Sequence, residues 1–249
     1  MKSPHPDWII PDWPAPANVK AFITTRAGGE SAGPYASLNL GLRTDDDPRA
    51  AAANRDRLCA ALPQPPKWLR QVHGASVVDA DELTAVPEAD ASVARHPHTV
   101  CAVLVADCVP VLFADRAGTT VAIAHAGWRG LATGVIENTV ARMGVDTREV
   151  LAYLGPGISP RAFEVGADVR DAFLAGDAQS GAAFTPHVPG KWLADLFLLA
   201  RRRLARAGVG AAYGGGLCTY SDAARFYSYR RERATGRMAA VIWRESGKR

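Results

Sequence analysis

Two reactive side chains bracket the apolar segment VADCVPVLFADRAGTTVAIAHAGWRG, residues 105–130. Cys108 follows Asp107 at one end, and His125 precedes Trp128 and Arg129 at the other. A thiol and an imidazole can share a transition metal, or in direct contact they can make a thiolate nucleophile. They can also simply pack in a core, so the chemistry depends on whether the two ends meet. VPVLFAD (109–115) and TVAIAHA (120–126) flank a short turn at Arg116-Ala117-Gly118, and a Gly-containing link of this length predicts an antiparallel hairpin. A turn centred near residue 117 pairs positions whose numbers sum to about 233–235, which sets Cys108 opposite His125 or within about two residues of it. Opposed Cβ atoms lie about 4.5–5.5 Å apart. One zinc ion, at about 2.3 Å from sulfur and about 2.0–2.1 Å from nitrogen, can bridge such a pair.

A metal needs a third ligand. The histidines are His5, His73, His96, His98, His125 and His187. His5 falls in a Pro-rich arm, and His96 and His98 in a loop tip, RHPH. His73, in RQVHGAS, stands where a strand is expected to meet Gly74, a common place for a functional side chain on a rigid scaffold. A set of His73, Cys108 and His125 would leave the fourth zinc position open, which is the catalytic rather than the structural pattern. Asp107 lies in an apolar run, where an unpaired carboxylate is costly, so it is expected to cap a turn or orient a site group.

The elements that must position these residues follow from pattern. KAFITTR (20–26) alternates like a strand, and RAGGESAGPYASLNLG (26–41) is a long loop rich in Gly and Ser. DDPRAAAANRDRLCAAL (46–62) reads as a helix capped by Asp46 or Asp47, with Pro48 in its first turn. KWLRQVHGASVVDAD (67–81) suggests two short strands broken at His73-Gly74, and residues 100–126 hold two or three strands. Residues 131–144 have helical spacing ending at a Gly, 150–155 form a buried strand, 166–175 and 191–207 are helical, and RMAAVIW (237–243) is a late strand. Strands and helices mix without strict alternation, which predicts an α/β fold with mixed and antiparallel sheets covered by helices, not a doubly wound parallel sheet.

Bulk properties narrow the class. The 249 residues can bury a substantial core, and 29 Lys+Arg against 25 Asp+Glu leave a formal charge of only +4. The basic residues are mostly Arg interspersed with acids, which suits a small anion such as phosphate better than nucleic acid. Cys59, Cys101, Cys108 and Cys218 are widely spaced with no CxxC, so no disulfide framework is expected. No signal-peptide pattern opens the chain, and the apolar run Val100–Ala106 is far too short for a membrane span. A cytoplasmic protein follows as the expectation.

Seven segments, TTRAGGESAGPYASLNLG, NRDRL, WLRQVHG, ADCVPVLFAD, AHAGWRG, LGPGISP with FEVG, and RFYSYRRERATGR, together resemble the YfiH-type family over residues 20–243. That family is known both as laccase-domain or multicopper polyphenol oxidase proteins and as zinc-dependent purine nucleoside phosphorylases and adenosine deaminases. The Pro-rich opening is expected to form an extended arm over 1–19, and the resemblance implies a single catalytic domain over 20–249, a sandwich similar to the cytotoxic necrotizing factor catalytic domain. It implies a zinc site of His73, Cys108 and His125, one ion per chain, and makes these the catalytic residues. It also implies action on adenosine, inosine and related nucleosides by phosphorolysis, deamination or both.

Rival chemistries can be weighed on the residues. A blue-copper centre takes two His, one Cys and a weak axial ligand, and a multicopper oxidase adds a histidine-rich cluster that six histidines cannot also furnish. Polyphenol oxidase chemistry is therefore disfavoured, although copper could substitute adventitiously at the same ligands. A metal-free reading makes Cys108 and His125 a thiolate–imidazolium pair for amide hydrolysis, linked through the family to peptidoglycan precursors. For nucleoside chemistry the phosphate and substrate candidates are Arg26, Asn39, Arg129 and Arg230, with Arg225 beside them. Arg129 precedes the helix expected at Leu131, whose amino end would favour an anion. Trp128, Tyr227 and Tyr229 are candidates to stack on a purine. The expected partners are a nucleoside and phosphate, with no nucleic acid and no membrane, and the chain is expected to be a monomer.

Overall fold

The computed structural model describes residues 5–246. In chain order the strands are β1 (Val19–Ile23), β2 (Val77–Asp79), β3 (Ala91–Ala94), β4 (Cys101–Val105), β5 (Val109–Asp115), β6 (Val121–Ala126), β7 (Val150–Leu154), β8 (Glu164–Val165), β9 (Phe184–Pro186), β10 (Trp192–Ala194), β11 (Ala211–Gly214) and β12 (Met238–Arg244). The α-helices are α1 (Pro48–Cys59), α2 (Trp128–Thr133), α3 (Val135–Met143), α4 (Ala167–Leu174), α5 (Leu196–Arg206) and α6 (Tyr229–Glu232). They build a six-stranded sheet ordered β11-β7-β5-β6-β3-β2, a three-stranded sheet ordered β1-β12-β4, and a small sheet ordered β8-β10-β9. Only β2–β3 and β7–β11 pair in parallel in the six-stranded sheet, so the mixed α/β architecture read from the sequence holds.

The layers explain why the central strands are apolar throughout. Along β5, Val111 and Phe113 pack with Leu131, Val135, Ile136 and Phe197 from the helical side. Leu112 and Ala114 point the other way and pack with Val103, Val105, Ala240 and Ile242 of the three-stranded sheet. Residues of β5 and β6 are thus buried on both faces, which removes the polar alternation of a half-exposed strand. Ala239 and Val241 of β12 face a third layer with Trp8, Phe22, Leu58 and Leu62. Trp8 is buried and Ile9 bridges Ile23, so residues 8 and 9 of the N-terminal stretch lie along β1.

The β5–β6 hairpin has the predicted register. Pro110 faces His125 and Val109 faces Ala126, positions that sum to 235. Asp115 fixes the turn: its carboxylate accepts the amides of Thr119 and Thr120, each at 2.8 Å, and its carbonyl accepts Gly118 N–H at 3.0 Å. α1 is capped by Asp47, whose side chain accepts Arg49 N–H, with Pro48 opening the helix.

Three expectations need correction. The helix expected over 131–144 is two helices: α2 begins earlier, at Trp128, and Gly134, with φ 95°, separates it from α3. The stretch 191–207 is β10 followed by α5, because Asp195 turns the chain and caps the helix through Leu198 N–H at 2.9 Å. Of the two strands expected over 67–81 only β2 forms; Lys67 and Arg70 make isolated bridges to Cys101 and Glu88. No helix of the described residues is long and apolar enough to cross a membrane.

Candidate metal centre

His125 sits on β6 in the middle of the mixed sheet and is 4% exposed. Its neighbour β3 runs antiparallel, with Ala91 opposite Ala124, so the preceding residue, Asp90, meets His125. Asp90 is fully buried and accepts from His125 twice: backbone N–H to Asp90 O at 2.7 Å, and ring Nδ1 to Oδ1 at 2.8 Å. With a proton on Nδ1, the ring presents Nε2 as its lone-pair nitrogen, the arrangement that readies a histidine for a metal.

The same carboxylate builds the other half of the site. Asp90 also accepts the backbone N–H groups of Val72 (3.1 Å), His73 (2.9 Å) and Gly74 (2.7 Å). These bonds hold His73 at φ 60°, a left-handed conformation that a non-glycine residue adopts at a cost. Burial alone would raise the Asp90 carboxyl, but the His125 ring and these amides outweigh it and hold it below the ordinary value. A single buried acid therefore orients one histidine ring and the backbone that carries the other.

Cys108 lies just before the start of β5, one step ahead of Val109, and so opposite Gly127. Asp107 before it has φ 92°; its carboxylate accepts Thr219 Oγ1–H at 2.6 Å and Arg230 N–H at 2.7 Å, so it ties the turn to the start of α6. Gly127 has an ordinary φ of −75°, so its backbone does not require glycine; space does. A Cβ there would lie 2.8 Å from Cys108 Sγ and 3.2 Å from the His73 ring.

His73, Cys108 and His125 each offer one ligand atom, and these atoms lie within 4.8 Å of one another. The two imidazoles meet edge to face with centroids 4.8 Å apart. Burial disfavours the thiolate, but His125 and His73 outweigh it and bring the Cys108 thiol down to about 6. Burial also disfavours charge on His125, but Cys108 and Asp90 outweigh it and raise the ring to about 9. A thiolate and two imidazoles converging from three segments suit a borderline-soft ion such as zinc or copper, and three protein donors leave room for a further ligand. His73 is exposed, so the centre opens to solvent. Two cavities, of about 390 and 410 Å³, lie elsewhere, and neither is bordered by these three residues.

The other site candidates separate. Arg26 is committed to its loop: its guanidinium donates to Ala36 O at 2.8 Å and Ala223 O at 3.0 Å and covers the Tyr227 ring. Asn39 is fully buried; its amide donates to Asp46 and Thr44, and its oxygen accepts Gly41 N–H and Arg237 N–H. Asn39 thus spends its side chain within the loop, whereas Arg26 keeps Nη2 without a hydrogen-bond partner among the described residues. Arg129 is exposed over the Trp128 ring at 4.5 Å, and α2 is only six residues long, too short for the anion-binding dipole expected of it. Arg230 is exposed; its side chain donates to Glu164 O at 2.9 Å and its backbone to Asp107. Arg225 pairs with Asp222. Tyr227 is fully buried, with its hydroxyl donating to Tyr35 O, and cannot stack on a ligand, whereas Tyr229 is 50% exposed. Sequence reading missed Asp90 and Gly127. Asp90 carried the signal that flagged Asp107, an acid inside an apolar run, in PEADASVA.

Residues 20–245 match the family described as multi-copper polyphenol oxidoreductase laccase. A protein of Pseudomonas aeruginosa named purine nucleoside phosphorylase is 56% identical over 237 residues, covering 95% of this chain and 98% of its own. The purine nucleoside phosphorylase YfiH of Escherichia coli K12 is 54% identical over 241 residues, 94% of this chain and 98% of its own. The crystal structure of a Neisseria meningitidis protein of the DUF152 family superposes with a TM-score of 0.93 at 53% identity, covering 96% of this chain and all of that one. The chain belongs to the YfiH-type, laccase-domain family.

Proposed function

We propose that this chain is a zinc-dependent purine nucleoside phosphorylase, acting on adenosine, inosine and related nucleosides, with His73, Cys108 and His125 holding one zinc ion. The observation that carries the reading is the convergence of the three donor atoms within 4.8 Å on an open face. The names of the near full-length relatives supply the substrate class. The donor set fits the ion: two imidazole nitrogens and a thiol already biased toward thiolate, so little free energy is lost in deprotonating it. When bound, zinc supplies Lewis acidity toward substrate or water. The chain's own residues do the rest. Asp90 fixes the His125 tautomer, its three amide contacts hold the His73 loop, and Gly127 keeps the space before the sulfur clear. Deamination of adenosine at the same centre is a second outcome of that chemistry. Copper at these ligands is read as a substitute, since a single three-donor group was found among the described residues. All three donors come from one chain, which supports a monomer as the working unit.

One observation favours a different reaction. Cys108, His125 and Asp90 form a thiol–imidazole–carboxylate series, the order of a cysteine hydrolase, which supports amide hydrolysis without metal. One experiment separates the readings: metal analysis, then adenosine turnover with and without phosphate. Phosphorolysis gives about one zinc per chain and base plus ribose 1-phosphate only when phosphate is present. Inosine and ammonia would signal deamination. Metal-free protein with undiminished turnover would sink the zinc reading, as would full activity of Cys108→Ala, His73→Ala or His125→Ala.

A further inference from the structure

Arg237 stands apart from the arginines around it. Arg26 and Arg231 both reach Glu232, and Arg225 pairs with Asp222, but Arg237, like the exposed Arg230 and Arg233, has no carboxylate partner among the described residues. It is nonetheless withdrawn from solvent. One nitrogen, Nη1, donates to Thr235 O and Gly236 O, each at 2.9 Å, which fixes the plane of the guanidinium. Nε and Nη2 have no protein partner among the described residues and are not sealed from solvent. The long loop is shaped to admit this side chain. A Cβ at Gly41 would meet the Arg237 stem at 2.9 Å, and Asn39 accepts Arg237 N–H at 2.9 Å. The guanidinium lies 5.9 Å from the centroid of the half-exposed Tyr229 ring, and the residue after that tyrosine, Arg230, donates its N–H to Asp107, the neighbour of Cys108, which places Arg237 on the Asp107 side of the candidate metal centre. Burial lowers its pKa, and Cys108 and Asp107 offset only part of that shift.

We infer that Arg237 binds the anionic co-substrate, inorganic phosphate, next to the metal centre. A half-buried guanidinium with a fixed plane and two free donors is the group that recognises a tetrahedral oxyanion by paired hydrogen bonds. The unpaired cation is then the empty half of an ion pair that phosphate completes. Asn39 serves the same end as a positioning residue, through the Arg237 backbone and not through the ligand. The inference rests on the phosphorolysis reading for the identity of the anion.

The test is titration of inorganic phosphate into the metal-loaded protein, followed by separate KM values for phosphate and adenosine. Arg237→Gln should weaken phosphate binding by about tenfold or more, the scale of a lost charge-assisted contact, with the adenosine KM within about twofold of wild type. Arg237→Lys should fall between, and Arg129→Gln should bind phosphate like wild type. Phenylglyoxal labelling of the wild type, mapped by mass spectrometry, needs no variant: phosphate should protect Arg237. The inference is overturned if folded Arg237→Gln binds phosphate as wild type does, if protection falls on Arg129 instead, or if wild type binds no phosphate. Arg237-dependent phosphate binding without phosphate-dependent base release would keep the anion site and remove the phosphorolysis reading.

Discussion

Asp90 is the residue on which both halves of the centre depend, and its role can be separated from a general contribution to folding. Asp90→Asn keeps the volume but replaces one acceptor oxygen by a donor. Facing His125 Nδ1, that donor favours the tautomer with the proton on Nε2, where a metal would have to bind. Metal affinity in a chelator competition is expected to drop by 10–100-fold, the usual cost of losing such a partner. A variant that unfolds less easily than it loses metal fits this role; unchanged affinity contradicts it. The thiol gives a second residue-level test. Cys108 is brought down to about 6, so its thiolate survives until pH falls through about 6, and His125 is raised to about 9, so the imidazolium is lost as pH rises through about 9. In metal-free protein carrying Cys218→Ser, iodoacetamide should label Cys108 rapidly down to about pH 6 and slowly below it. An ordinary thiol would slow below about pH 8.5. Cys101, pushed up to about 12 by burial, should stay silent. Bound metal should protect Cys108 at every pH where the protein keeps its metal.

At the scale of elements, the centre is legible in the sequence where a short-range rule sets geometry. The turn at Arg116-Ala117-Gly118 fixed the β5–β6 register to within the stated range, and that register alone brings Cys108 to the His125 end of the ladder. The Asp47-Pro48 cap of α1 and the apolar run of β12 are equally local. What escaped the sequence depends on partners. β8, β9 and β10 are two or three residues long, too short for a period, and exist because they pair with each other. The left-handed turn at His73 exists because Asp90, seventeen residues on, holds three successive amides. Gly134 was read as an interior residue of one helix, since a glycine does not announce its sign of φ. That reading makes a prediction. An Ala at Gly134 would meet nothing closer than Glu137 Oε2 at 3.8 Å, so the penalty is conformational, not steric. Gly134→Ala should lower unfolding free energy by about 1–2 kcal/mol in denaturant titration while metal stoichiometry stays intact. No loss, or loss of metal, would mean that the α2–α3 joint does not carry this strain.

For the whole molecule, the donors sit on a frame held together by its own apolar layers. β5 and β6 are buried between the helical layer and the three-stranded sheet, and the contacts of Asp90 are complete without an ion. Zinc finger-like domains, by contrast, lose their fold with the metal because the ion replaces a core. Removal of metal here should therefore act locally. Binding to the native state alone stabilises by about 2.7 kcal/mol at a hundredfold excess over Kd, so chelation should lower Tm by several degrees in a single cooperative transition that metal restores. Amide hydrogen exchange should quicken at residues 71–75, 106–109 and 125–128, where the three donors enter, and stay unchanged along β1 and β12. Rigid ladders carry Cys108 and His125 to the site, while His73 comes from an exposed loop held by Asp90, so the 71–75 segment should respond most. Global unfolding on chelation would show the metal to be structural, and that would weigh against an open catalytic position. Exchange unchanged everywhere would mean that no ion is held at these residues at all.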